Sequence, residues 1–267
     1  MRVPGALLLI AFLAPALYGR QAQSTNQSSS GSPTVIVQDG GVDQVLQSVY
    51  IPPIPNAPFI AIVHTQWIRP LMDGGTYTVV NQRQVARDRS GRIYEERWLL
   101  VPKDGKWKSR MNLIQIADPS THTLYNCFLL ETPHRCAAGP YDDSPTAHYQ
   151  PPVAQTGALL NGEGFQTHED LGTQTIAGVD VQGTRDSITY NQGVIGKDRP
   201  FSRTRAFWYA PSLGIDLESE LSAPEFGKEI FTLTDISTSD PDPKLFQIPD
   251  GFQVVDHRRP AAQSGTQ

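Results

Sequence analysis

Cysteine is scarce in this chain. Cys127 and Cys136 are the whole complement of two in 267 residues, which excludes a disulfide-rich scaffold and the doubled Cys-x-x-Cys sets of zinc folds. Blocks of lysine and arginine are missing as well, and a formal net charge of −5 leaves no electrostatic footprint for nucleic acid. No apolar run reaches the roughly 20 residues that a membrane-spanning helix needs, and no stretch sustains the apolar periodicity of a long amphipathic helix. Gly-x-Ser-x-Gly, His-Glu-x-x-His and the Gly-Lys-Ser/Thr phosphate cradle are absent. Asn161-Gly162-Glu163-Gly164 lacks the third glycine of a phosphate-binding loop and reads as a turn. His168-Glu169-Asp170 falls on a strand-like run, where successive side chains point to opposite faces and cannot converge on one substrate. Asp240-Pro241-Asp242 offers two carboxylates, short of the six to eight oxygens that calcium takes. The sequence therefore assigns no catalytic residue, no metal ligand and no cofactor.

What the chain does contain is a rhythm of turns. Asp73-Gly74-Gly75, Arg89-Ser90-Gly91, Asp104-Gly105, Asp118-Pro119-Ser120 and Thr132-Pro133 recur roughly every 15 residues, about two strand lengths. These residues tolerate positive φ or preset φ, as hairpins require. Between them lie runs rich in Val, Ile, Thr, Tyr and Trp, the types that fit a pleated surface. The runs predict strands over 59–68, 76–85, 92–101, 107–117 and 121–130. A second series is expected over 164–176, from Val179 onward, and over 204–209, 215–221, 228–236 and 252–255. Gly41 to Tyr50 carries Val42, Val45, Leu46 and Tyr50 in a short helical pattern that Pro52 and Pro53 end. Pro243 to Phe246 predicts one helical turn pinning Leu245 and Phe246. Between the two series, Gly139 to Glu163 is a long irregular connection rich in proline. The expected fold is all-β: one curved antiparallel sheet or half-barrel of about ten strands with minor short helices.

At the N-terminus, Arg2 precedes the apolar run Ala6 to Leu17, with small residues near Gly19 and Ala22. This is the layout of a secretory signal peptide over 1–22; an uncleaved anchor is the alternative. No cysteine lies near the cleavage region for lipid attachment. The Ser/Gln/Asn-rich stretch within 23–40 has little to bury and is expected to be a disordered linker. The sequon Asn26-Gln27-Ser28 falls within it. Residues 258–267 read as a disordered tail, which leaves a single β-rich domain over 41–257. The expected location is the periplasm or the exterior of a Gram-negative bacterium. Export favours a disulfide between Cys127 and Cys136, facing each other across a hairpin. Free thiols, or a metal site shared with His122 and His134, are the alternatives.

Two features bear on binding. Tyr94, Glu96, Trp98 and Leu100 alternate with Ile93, Glu95, Arg97, Leu99 and Val101, so both faces of one strand turn apolar toward its end. A strand leaving a solvent edge for a two-sided apolar environment has that pattern, and so has one between a core and a ligand cavity. Trp208-Tyr209, beside a turn, is the strongest aromatic pair; core packing is its plain reading and a ligand-facing wall the sharper one. Tyr94, Trp98, Leu100, Trp208 and Tyr209 are therefore the candidate ligand-binding residues. Arg83, Arg87, Arg89 and Arg92 flank a turn and read as a solvated hairpin tip, with an anionic contact as the sharper alternative.

The second half resembles a known group. The segment from Glu169 through Leu171-Gly172-Thr173, Gly178-Val179-Asp180 and Gly183-Thr184-Arg185 is followed by Ile195-Gly196-Lys197-Asp198-Arg199-Pro200. Trp208-Tyr209-Ala210-Pro211-Ser212-Leu213-Gly214 and Pro241-Asp242-Pro243-Lys244-Leu245-Phe246-Gln247-Ile248-Pro249 complete the set. Together they resemble an uncharacterised family of exported proteins of soil bacteria, over most of 59–255. The cysteine pair is not a feature of that family. Ser222-Ala223-Pro224-Glu225 stands where its members carry Asp-Pro-Arg. More distantly, the layout is similar to periplasmic lipoprotein-carrier proteins, whose curved sheet holds acyl chains; this resemblance implies a fold, and fold does not fix function. The leading expectation is non-enzymatic binding of a lipid-like or apolar ligand in the cell envelope. A structural or protein-interaction module of the envelope is the alternative, and a hydrolase with an unrecognised site the third.

Overall fold

A computed structural model describes residues 38–40, 45–47, 49–142 and 155–258. The expected signal peptide, the sequon, most of the linker and tail, and residues 143–154 of the proline-rich connection lie outside these residues. The described strands are β1 (Gln38–Gly40), β2 (Val45–Gln47), β3 (Phe59–Pro70), β4 (Thr76–Arg87), β5 (Ile93–Lys103), β6 (Lys106–Asp118), β7 (Thr123–Phe128) and β8 (Arg135–Pro140). The second series is β9 (Gly157–Ala158), β10 (Gly164–Ile176), β11 (Val179–Tyr190), β12 (Phe201–Ala210), β13 (Ile215–Ala223), β14 (Gly227–Ser237) and β15 (Gln253–Asp256). Three single-turn 3-10 helices complete the elements: η1 (Leu160–Gly162), η2 (Val194–Gly196) and η3 (Pro243–Phe246).

One large, open, curved sheet dominates. Its order is β15-β8-β7-β6-β5-β4-β3-β14-β13-β12-β11-β10-β9, thirteen strands rather than the ten or so expected. The first meander grows outward from β3 to β8; the second runs back from β9 to β14, which pairs with β3 in the middle. Residues 141–156 thus join strands eleven steps apart in the sheet. A flat sheet would hold them roughly 53 Å apart at the usual strand spacing, close to the ~58 Å full reach of that much chain. Curvature shortens this span. All neighbours are antiparallel except β15, which pairs in parallel with β8, a departure from the fully antiparallel expectation.

Two expectations fail. The helical pattern over 41–50 is instead occupied in part by β2, paired with β1. Four apolar residues at helical spacing are too few to offset helix nucleation, and extended pairing satisfies the same segment. The arginines near the first hairpin are not a solvated tip either. Arg83 and Arg87 are 2% and 0% exposed, because they share a face of β4 with the buried Val79, Asn81 and Val85. Only Arg89 and Arg92 reach the turn surface, where Arg89 pairs with Asp240 and Arg92 with Asp88.

The main core lies on this face. Phe59, Ala61 and Val63 of β3 sit opposite Arg87, Val85 and Arg83 of β4, and Val63 sits opposite Leu233 of β14. Each fully buried large aliphatic side chain contributes about 1.5–3 kcal/mol. Charges are embedded in the same layer. Arg97 donates from Nε to Gln115 Oε1 (2.7 Å), Gln115 Nε2 donates to Asn126 Oδ1 (2.7 Å), and Arg97 also pairs with Glu95. Burial, assisted by the neighbouring Arg97 charge, pushes the Arg83 guanidinium down to about 9 while Glu95 opposes the shift.

Cys127 and Cys136 are cross-strand partners in β7 and β8, both 0% exposed, and form a disulfide. The bridge closes a short loop with a sequence separation of 9, which the chain-entropy model converts to about 2.5 kcal/mol. Substituting both cysteines by alanine is expected to cost at least that amount in urea unfolding, since two buried groups are lost as well. A midpoint that reductant leaves unmoved would show that the ladder holds this hairpin by itself.

Candidate functional site

A groove of about 410 Å³ runs across β10 to β14. Its lining includes consecutive residues of β13 and β14, among them Ser219 and the core residue Phe231, and Trp208 on its wall packs against the main core. Thr204, Ala206 and Trp208 come from β12, Glu218 and Glu220 from β13, and Ile230 and Thr232 from β14. Leu171 and Arg185 border it from β10 and β11. Ile230 and Thr232 also line a smaller recess of about 180 Å³ beside them, with His64, Gln66 and Val80. The two form a trough across the strands from β10 to β4.

Two local devices shape it. Gly183 of β11 lies opposite Trp208, and a Cβ there would meet the indole Cζ3 at 2.4 Å. The missing side chain lets the ring lie flat over the β11 backbone as one wall. The β12–β13 register shifts between Trp208 and Tyr209, and such a bulge re-aims the side chains on either side of it. The charges along the trough are mostly paired: Arg185 Nη1 with Glu169 Oε2 at 2.6 Å, and Lys228 Nζ with Glu220 Oε2 at 2.8 Å. Trp208, Ile230, Ala206 and Leu171 supply apolar surface between these polar groups. The surface is suited to an amphipathic molecule rather than a purely apolar one.

Of the five candidate ligand residues, Trp208 alone lines this groove. Tyr94 is 5% exposed and packs with Ala86, Ile116 and Phe246. Leu100 is 2% exposed and packs against Val79. Trp98 is half-buried and donates its indole N–H to Glu96 Oε2 (2.9 Å). Tyr209, next to Trp208 on β12, is half-buried. Tyr94 and Trp98 instead belong to a seam. The β4–β5 ladder covers only Val85 to Arg87 against Glu95 to Ile93, and beyond it side chains replace the backbone pairing. Glu96 accepts from the Gln84 backbone N–H (3.1 Å), the Tyr94 hydroxyl (3.1 Å) and the Trp98 indole. Asn81 Nδ2 donates to the Trp98 carbonyl (3.1 Å). The two-sided apolar character of β5 reflects this seam.

Other sequence candidates resolve into pairs. His168 Nδ1 meets Asp186 Oδ1 at 2.8 Å, while Glu169 pairs with Arg185 in the next row and so on the opposite face. Asp240 accepts from Arg89, and Asp242 accepts from the Lys244 backbone N–H at the start of η3. Both cysteine sulfurs are used in the bridge, so a thiolate site with His122 and His134 has no ligands left. Among the described residues, no group of three or more His, Cys, Asp or Glu is placed to hold a metal ion, and no helix is long and apolar enough to cross a membrane. Sequence reasoning missed Glu218, Glu220, Ile230 and Thr232. Their signal was the alternation within β13 and β14, but which strands adjoin was not in it.

No family model and no curated protein matches the chain. Among solved structures, similarity extends to the Pseudomonas aeruginosa MucA/MucB complex, with 13% identity and a TM-score of 0.32, over 73% of this chain and 58% of that one. The chain thus spans somewhat over half the length of that match. It is also similar to the Mycobacterium tuberculosis lipoprotein LppX, with 12% identity and a TM-score of 0.31, over 70% and 89% of the two chains. For LprF from Mycobacterium bovis the values are 15%, 0.29, 70% and 90%. These are distant likenesses of fold.

Proposed function

We propose that this is an exported, non-enzymatic binding protein of the cell envelope, and that the trough across β10 to β14 holds a lipid-like, amphipathic ligand. The carrying observation is the Trp208 wall over Gly183, which shares one groove with Ala206, Ile230 and several polar side chains. An acyl chain would lie along the apolar strip, with a polar head beside Arg185 or Thr232. The signal peptide over 1–22, the linker over 23–40, the domain over 41–257 and the tail over 258–267 are part of this reading. So is kinship with the exported soil-bacterial family.

The test is native mass spectrometry and solvent extraction of protein isolated from its own envelope. A bound amphiphile is expected. Ala206→Glu, which sets a charge in the apolar strip, is expected to weaken its binding on the order of tenfold. Protein that yields no extractable amphiphile, and that binds no fluorescent fatty acid once delipidated, would defeat the proposal.

A second reading has its own observation. Among the described residues, β9 covers only Phe165 and Gln166 of the thirteen-residue strand β10, and the later part of β10 forms a sheet edge. Such an edge can accept a strand from an envelope protein. A stoichiometric protein partner without lipid, captured from envelope extract, would favour that role.

A further inference from the structure

The charges that line the trough do not cancel. Arg185 is met by Glu169, and Glu220 by Lys228. Glu218 is different: among the described residues, no hydrogen bond or ion pair engages its carboxylate. One formal negative charge is left over inside the groove.

Strand order decides what surrounds that charge. β13 lies between β12 and β14, so Glu218 stands directly opposite Trp208 on one side and Thr232 on the other. Residues so paired hold their Cβ atoms about 4.5–5.5 Å apart. All three line the groove, and all three are half-buried. The Thr232 hydroxyl, like Glu218, has no hydrogen-bond partner among the described residues. The groove volume of about 410 Å³ falls in the range of sites for one small molecule, roughly 300–1,000 Å³.

An occupant that excludes water from this groove must replace the hydration of the carboxylate. A neutral head gives nothing back for that loss, and an anionic head adds repulsion. A protonated amine supplies the opposite charge. It also supplies N–H donors, which a carboxylate and a threonine hydroxyl both accept. The indole beside them attracts the same cation through the negative face of its ring. Arg185 is the group that would draw an anionic head, and Glu169 already meets it.

We propose that the trough selects an amphiphile with a primary ammonium head, seated among Glu218, Thr232 and Trp208, with its apolar chain along Ala206 and Ile230. This rests on the trough being the ligand site, and it adds the charge of the ligand. Calorimetric titration of the delipidated full chain tests it, with dodecylammonium, dodecyl maltoside and dodecyl sulfate, each below its micelle concentration. The three share one chain and differ in the head. Dodecylammonium is expected to bind about tenfold tighter than the maltoside, with the sulfate weakest. Glu218→Gln should erase the margin of dodecylammonium over the maltoside, with the fold intact by circular dichroism. Glu163→Gln removes the same charge from an exposed position outside the groove and should keep the margin. That control separates Glu218 from the general pull of a chain with net charge −5. The apolar run Ala6 to Leu17 is common to parent and variants, so it does not enter the difference. Equal margins in parent and Glu218→Gln would overturn the proposal. Tighter binding of dodecyl sulfate would do so too, since the head would then lie at Arg185. Either result, with the maltoside still bound, leaves the trough as an amphiphile site. Failure of all three to bind would end the proposal together with the reading on which it rests.

Discussion

Arg87→Met is expected to remove about 4 kcal/mol of stability, enough to leave a domain of ordinary stability close to unfolding. The Arg87 side chain is 0% exposed and has three carbonyl acceptors on two separate segments. Nη1 donates to Pro52 O (2.7 Å), Nε and Nη2 donate to Ala57 O (2.9 and 2.7 Å), and Nη2 donates to Leu213 O (2.6 Å). The guanidinium also lies over the Phe59 ring, 5.2 Å from its centroid. One side chain thus ties the entry to β3 and the β12–β13 turn onto the end of β4. Burial pushes its pKa down to about 10, which still leaves it charged at neutral pH. Methionine matches the stem but takes the guanidinium donors from the Ala57 and Leu213 carbonyls, each costing about 1–3 kcal/mol, while Pro52 O keeps the Ile54 backbone N–H at 2.9 Å. Arg87→Lys is expected to recover only part of the loss, because an ammonium lacks the planar fork that reaches all three. Urea denaturation measures both variants. A methionine variant with the parent midpoint would show that water or a local shift supplies the missing donors.

Asp216→Asn is expected to stabilise the protein, and only above mildly acidic pH. Burial raises the Asp216 carboxyl from 3.8 to about 6, with Arg205 only partly opposing the shift. Arg205 Nη2 stands 3.8 Å from Oδ2, the Asp216 side chain is 13% exposed, and Oδ1 has no hydrogen-bond partner. The unfolded chain ionises this group near 3.8, whereas the folded protein resists ionisation until about 6. Its favourable contribution is therefore complete below about pH 4 and is lost as pH rises through about 6. Above that the ionised carboxylate costs up to about 3 kcal/mol. Asparagine keeps the shape without the charge. The variant should gain up to that amount at pH 8 and nothing at pH 3.5, with the difference opening between pH 4 and 6. Thermal unfolding across that range would show it. A gain independent of pH would mean that Asp216 acts by shape rather than by ionisation.

The strand positions were legible because turn chemistry is local. Asp104-Gly105 both adopt positive φ, at +53° and +70°, as a two-residue hairpin linking twisted strands demands. Gly164–Ile176 was read residue for residue, and Phe246 is buried from a helical turn as expected. The interior was less legible. Alternation on β4 placed Arg83 and Arg87 with Val79 and Val85, but the general preference of arginine for solvent pointed the other way. A guanidinium satisfied by distant carbonyls at Pro52, Ala57 and Leu213 leaves no trace near residue 87. The trough was unreadable for a related reason. Trp208 stands out by its type, but Glu218, Ile230 and Thr232 become its neighbours only through strand order, which alternation within one strand does not contain.

The meeting of β14 with β3 at the middle of the sheet has a consequence for biogenesis. As the nascent chain emerges in order, Phe59 to Pro70 gains its first partner within a few residues, through β4. Its other side stays bare until a segment beginning at Gly227 arrives. During synthesis the most vulnerable edge is therefore the one that ends up in the centre, lined by Phe59, Ala61 and Val63. A holdase that shields this half-finished seam would act on an intermediate whose adhesive strand disappears from the surface once synthesis is complete.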